Sequence, residues 1–160
     1  MNMQPEGGTD IERSVTMGRM PRTSELTASY LIGRADRIIS AQLEEALRGS
    51  GLSLPEFTAL SVLAARPGLS NARLARRSLV TPQAMHKVIR SLEEAGYVVR
   101  TAPPHGGRSL EAAITEAGSR LLDEMLPRIA EAEERTLSPL DASERRELVR
   151  LLAIVTSPPH

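Results

Sequence analysis

The stretch TPQAMHKVIRSLEEAG, residues 81–96, decides how the rest of the chain is read. Threonine followed by proline is an N-cap with proline in the first turn, and Gly96 supplies the left-handed residue past a helix end, so one bounded helix is predicted. At 100° per residue, Met85, Val88, Ile89 and Leu92 fall on one side of it. Gln83, Lys87, Arg90 and Glu94 form a stripe roughly 60° wide on the other. One face is built to pack; the opposite face is polar and mostly basic.

Upstream, Asn71 to about Arg77 reads as a short helix capped by Ser70, with Leu74 and Ala75 inward and Arg73, Arg76 and Arg77 outward. Ser53-Leu54-Pro55-Glu56 has capping-box spacing and opens a helix that buries Phe57, Leu60, Leu63 and Ala64 and stops before Pro67-Gly68. From about Ser24 to Arg48, Leu31, Ala35, Ile39, Leu43 and Leu47 recur at helical spacing, until Gly49 and Gly51. Residues 1–23 carry no sustained periodicity and read as a flexible tail.

Downstream of Gly96 the period changes. Tyr97–Arg100 and Ser109–Ile114 read as two short strands, with Leu110, Ala112 and Ile114 alternating inward. Between them the turn-rich Pro103–Arg108 puts Arg108 near the tip of a hairpin. Thr115 caps a long helix with Leu121, Leu122, Met125, Leu126, Ile129 and Ala132, in which Pro127 predicts a kink or a break. Asp141 and Glu144 start a last helix with the stripe Leu148, Leu151, Leu152 and Val155.

Three helices followed by a two-stranded wing, with a basic stripe on the third helix, are the arrangement of a winged helix-turn-helix. The fold class expected is mainly α with a small β-wing. Within a domain over 24–156, the winged helix-turn-helix takes about 53–115, and dimerisation helices take about 24–48 and 116–155. The apolar stripes of the terminal helices exceed what one small core covers, which predicts a homodimer.

Composition narrows the chemistry. The chain has 160 residues, no cysteine, no tryptophan and 2 % aromatics, so its core must come from Leu, Ala, Val, Ile and Met, and thiol chemistry is excluded. No apolar run is long enough to span a bilayer and no signal-peptide core follows Met1, so a cytoplasmic protein without membrane contact is expected. His86, His105 and His160 are dispersed without acidic or thiol companions; no metal, cofactor or catalytic constellation is expected.

The formal net charge is zero, but it is unevenly spread. Residues 66–108 hold eight basic side chains against Glu93 and Glu94, net +6, between flanks of net −2 and −4. Phosphate neutralisation needs a local patch rather than a basic whole, so the gradient points toward nucleic acid.

The run Gly51–Leu60, the pair Leu74-Ala75, the stretch Ser91–Val98 and the wing end Gly107-Arg108 followed by Ile114–Gly118 together resemble the MarR family of bacterial transcriptional regulators. The resemblance covers about residues 26–155. It implies a helical homodimer on a pseudo-palindromic double-stranded operator, often a repressor of neighbouring genes released by a small phenolic or aromatic-acid effector. One departure stands out: the family wing usually reads Asp-x-Arg, and the aspartate position here is Gly106. Arg108 therefore lacks the carboxylate that usually orients it.

Gln83 suits adenine N6/N7, and Lys87 or Arg90 suits guanine O6/N7 or a phosphate. Thr81 and His86 share that helix, Ser70, Arg73 and Arg77 are candidate backbone positioners, and Arg108 beside Gly106-Gly107 is the candidate wing contact. For each, the competing reading is an ordinary solvated surface. Glu94 either lies beyond the groove edge or pairs with Arg90 one turn away. The family places effectors between the first helices and the recognition module, which implies Tyr30, Arg34, Ile38, Phe57 and Leu60 as lining, with Arg34 facing a carboxylate; core packing is the competing reading. A winged-helix module serving dimerisation or protein contact without DNA is the alternative function.

Overall fold

The computed structural model describes residues 27–102 and 110–157. Among them the element order is α1 (Ala28–Leu47), α2 (Leu54–Ala65), β1 (Leu69–Ser70), α3 (Asn71–Arg77), α4 (Pro82–Glu94), β2 (Val98–Thr101), β3 (Glu111–Ile114), α5 (Glu116–Leu137) and α6 (Ala142–Thr156). The expected tail and the wing tip bearing Arg108 lie outside the described residues.

Helix boundaries follow capping chemistry. The Thr27 hydroxyl accepts from the Tyr30 N–H at 3.3 Å and caps α1 at Ala28. At α2 one Glu56 carboxylate oxygen accepts from both the N–H and the hydroxyl of Ser53, at 2.8 and 2.7 Å. At α6 Asp141 Oδ1 accepts from the N–H groups of Ser143 and Glu144, and Glu144 accepts in return from the Asp141 N–H at 2.8 Å. Pro127 does not break α5, which runs unbroken through it. The proline removes only the N–H that the Asp123 carbonyl would accept, and both residues face water.

The core centres on α2, which packs against α1, α3, α4, α5 and β3. Phe57, Ala59, Leu60 and Leu63 are buried there, together with Leu74 of α3, Met85, Ile89 and Leu92 of α4, and Leu122 and Met125 of α5. A helix with neighbours on so many sides does not keep a single apolar stripe. Hence Ala59 is buried and Ala64, expected inside, is exposed.

The sheet is antiparallel with strand order β1-β3-β2. Val98 opposes Ile114 and Arg100 opposes Ala112, while Leu69 opposes Ala112 from the other side. Alternation in the sequence predicts two strands; β1 has two residues, too short for a period of 2 to register. Ser70 belongs to it, and although Ser70 is the N-cap of α3, its hydroxyl makes no capping bond. Leu110, expected inward, is exposed, because β3 begins one residue later at Glu111.

The first and last helices carry uncovered apolar surface. α6 buries none of its residues, and Val149, Leu151, Leu152, Ile154 and Val155 are exposed, as are Leu31, Ile32 and Ile38 of α1. Leu126, expected inside α5, is exposed too.

Candidate nucleic-acid interface

α4 is held by its ends and by one face. The Thr81 hydroxyl accepts from the Ala84 N–H at 3.1 Å, Pro82 occupies the first turn, and Gly96 at φ +77° turns the chain into β2. Met85, Ile89 and Leu92 are at most 2 % exposed, which fixes the rotation of the helix. Gln83, His86, Lys87 and Arg90 are thereby turned to solvent. Arg90 Nε and Glu94 Oε1 stand 3.4 Å apart on well-exposed side chains, the pairing expected one turn apart. Such a pair is worth only a few tenths of a kcal/mol, so Arg90 is easily recruited elsewhere.

α3 is locked to α4 by Asn71, whose Nδ2 donates to the Pro82 carbonyl at 3.0 Å. The connecting turn is strained: Leu79 has φ +56° and is 92 % exposed, while Ser78 beside it is buried with an unpartnered hydroxyl. Arg73 and Arg77 are exposed on α3, and Ser70 is half-buried in β1.

Tertiary contacts also fix the base of the wing against α4. Thr115 donates its N–H to the Tyr97 carbonyl at 3.0 Å and its hydroxyl to the Gly96 carbonyl at 2.8 Å. Arg100 of β2 pairs with Glu93 of α4 at 2.9 Å. Around that pair His86, Lys87, Arg90, Glu93 and Arg100 line a depression of about 390 Å³. The structure therefore brings three of the candidate contacts, His86, Lys87 and Arg90, together on one surface. Arg73 and Arg77 line a separate depression, of about 560 Å³, with Arg66 and Arg76.

Two residues that matter to this arrangement escape a reading of the sequence. Arg100 sits in a strand next to exposed residues, and only its partner across the fold gives it a role. Asn71 opens α3 like any polar helix-start residue, and its bond to a carbonyl eleven positions away has no local signature.

The implied effector lining is not gathered in one place. Phe57 and Leu60 belong to the core, at 8 % and 0 % exposure. Tyr30 and Arg34 lie on the exposed surface of α1. Ile38 alone of the five lines a groove of about 500 Å³ between α1, α5 and α6, with Leu31, Ala35, Leu137, Leu148 and Leu152 among its other walls. Tyr30, Arg34 and Ile38 share a face of α1 at spacings of four, but α2 turns Phe57 and Leu60 into the core instead.

Among the described residues no group of three or more His, Cys, Asp or Glu side chains is placed to hold a metal ion, and no helix is long and apolar enough to cross a membrane.

Residues 50–109 match the MarR family. The HTH-type transcriptional repressor Rv2887 of Mycobacterium tuberculosis is 43 % identical over 123 residues, which cover 77 % of this chain and 88 % of that protein. A crystal structure of the M. tuberculosis MarR family protein Rv2887 in complex with DNA superposes with a TM-score of 0.69 at 38 % identity, covering 83 % of this chain and 100 % of that one. Its complex with salicylic acid gives a TM-score of 0.69 at 40 % identity, covering 82 % and 98 %. The helix-turn-helix of α3 and α4, the wing that follows it and this degree of identity over most of both chains agree: the chain belongs to the MarR family of transcriptional regulators.

Proposed function

We propose that this chain is a cytoplasmic, homodimeric repressor that binds a pseudo-palindromic double-stranded operator near its own gene and leaves it when a small aromatic acid binds. It has no catalytic role in this reading. One observation carries it: α4 buries Met85, Ile89 and Leu92 and turns Gln83, His86, Lys87 and Arg90 outward, in a chain 38 % identical to a protein crystallised with DNA.

The division of labour follows the fold. The winged helix-turn-helix over about 53–115 reads DNA. Gln83 and Arg90 address base edges in the major groove, and Thr81, His86 and Lys87 take bases or phosphates. Ser70, Arg73 and Arg77 position the backbone, and Arg108 reaches from the wing. The terminal helices, about 24–48 and 116–155, pair with a second copy, which covers the exposed apolar residues of α1 and α6. Two copies of α4 then read major grooves one helical turn, roughly 34–36 Å, apart.

Release must act by differential binding, because a chain without cysteine has no thiol switch. The crystal structures of Rv2887 with salicylic acid and with p-aminosalicylic acid support an aromatic acid as the effector class. Tyr30, Arg34 and Ile38 on α1 are the candidate contacts, with Arg34 for the carboxylate; Phe57 and Leu60 would act from within the core. Footprinting on the DNA beside its own gene, repeated with salicylate, tests the reading. A protected two-fold site that salicylate clears is expected; no protection, or protection indifferent to aromatic acids, contradicts it.

A further inference from the structure

Arg66 at the end of α2 and Arg73, Arg76 and Arg77 of α3 line one depression of about 560 Å³, whose floor includes Gly68. Among the described residues none of the four forms an ion pair, while arginines at seven other positions each hold a carboxylate. The Glu111 carboxylate reaches the rim, 3.2 Å from where a Cβ on Gly68 would stand, yet it pairs with none of them. Arg76 and Arg77 also lie in the last turn of α3, where a cation gains from the partial negative charge of the helix end. That gain explains neither Arg66 nor Arg73.

Like charges gathered without ion-paired counter-charges raise the local potential and cost stability, so such a surface is suited to a polyanion. Guanidinium groups match phosphate oxygens in bidentate geometry better than any other side chain. Through the Asn71 bond to Pro82, α3 is coupled directly to the first turn of α4, so whatever α3 grips sets where α4 sits. We infer that these four arginines form a phosphate-binding shelf that holds the DNA backbone beside the groove entered by α4, with Arg66 and Arg76 as members beyond the contacts named above. The inference rests on the DNA-binding reading. The shelf adds affinity without sequence preference, because phosphates are the same along every duplex.

The test compares the full chain with Arg66→Gln/Arg76→Gln and with Arg66→Lys/Arg76→Lys, after thermal unfolding has shown equal folding. Binding is measured by fluorescence anisotropy between 50 and 200 mM salt (about the range in which such slopes are read). The probes are a duplex from the DNA beside the gene and a duplex of scrambled sequence. In a dimer the Gln variant loses four phosphate contacts, so the slope of log K against log salt becomes shallower by about 3.6 on both duplexes. The advantage of the unsubstituted protein then shrinks about 100-fold across that range. Preference for the specific duplex is unchanged, and the Lys variant recovers the slope.

An unaltered slope in the Gln variant overturns the inference. So does a Gln variant that binds DNA normally but no longer binds polyglutamate, which would assign the shelf to an acidic protein. If the unsubstituted protein binds neither duplex, the DNA-binding reading fails with it, and that failure is recognised before any variant is compared.

Discussion

Arg100 of β2 and Glu93 of α4 meet at 2.9 Å, each about 30 % exposed, and this pair ties the wing to the helix that carries the outward basic face. Neither residue is one of the candidate DNA contacts, yet their distance sets the angle between the two elements that carry them. Pairs exposed to this degree contribute little to stability, so the consequence belongs to binding rather than folding.

A double-mutant cycle on Arg100→Ala and Glu93→Ala measures this. Unfolding in urea is expected to give a coupling energy of about 0.5–1 kcal/mol. Affinity for the operator is expected to fall in each single variant and to fall no further in the double. Additive losses in binding would mean that the two residues act separately.

Gly118, in the first turns of α5, permits the close approach of α5 to the strand start. A Cβ there would stand 2.3 Å from the Tyr97 carbonyl oxygen and 2.9 Å from Ile114 Cγ1. Alanine gains up to about 1 kcal/mol of helix propensity over glycine, but the clash is with backbone and costs about 1–3 kcal/mol. Gly118→Ala is therefore expected to lower the urea midpoint, and an unchanged or raised midpoint would contradict the packing described.

The turn before α4 carries the opposite liability. Leu79 holds φ +56° with its side chain almost wholly in solvent, so it has the strain of the left-handed region and little packing to offset it. Leu79→Gly is expected to raise stability by about 1 kcal/mol, as seen by thermal unfolding. A loss would show that the leucine is held by contacts in solution.

Burial pushes the Glu56 carboxyl up, but the Ser91 hydroxyl, the Ser53 N–H and the Ser53 hydroxyl together outweigh it and hold the group below the ordinary value of 4.5. A carboxyl depressed on folding stabilises the protein above its unfolded value, and that contribution is lost as pH falls through the folded one. The urea midpoint of the native chain should therefore decline as pH drops below 4.5, and Glu56→Gln should flatten the decline. Equal pH profiles for the two proteins would remove Glu56 from the account.

Much of this architecture could be read directly from the chain, because its signals are local. Thr81-Pro82 and Gly96 bracket α4, and the Ser53–Glu56 and Asp141–Glu144 spacings mark α2 and α6, each through bonds between residues three apart. What stayed hidden depends on partners far along the sequence. β1 exists only because Leu69 finds Ala112 across the sheet. Ala59 and Ala64 are indistinguishable by type, and only the neighbours of α2 decide which is buried. Phe57 and Leu60 sit at a spacing that fits a pocket wall as well as a core, and the helices around α2 make them core. Of the candidate site, the exposure of Gln83, Lys87 and Arg90 follows from periodicity, whereas that of His86, off the stripe, is seen only in the fold, and the Arg66 and Arg76 neighbourhood comes from α2 and α3 converging.

The central claim is that the outward face of α4, with the wing, reads a specific operator. Its most direct test is affinity against salt for the unsubstituted chain, Arg90→Ala and Arg108→Ala, on a duplex from the DNA beside its gene and on a scrambled one. Affinity is expected to fall steeply with salt, to favour the specific duplex by about 10³-fold or more, and to drop clearly in each variant. Binding that ignores salt, or equal affinity for both duplexes with Arg90→Ala indistinguishable from the native chain, would contradict it.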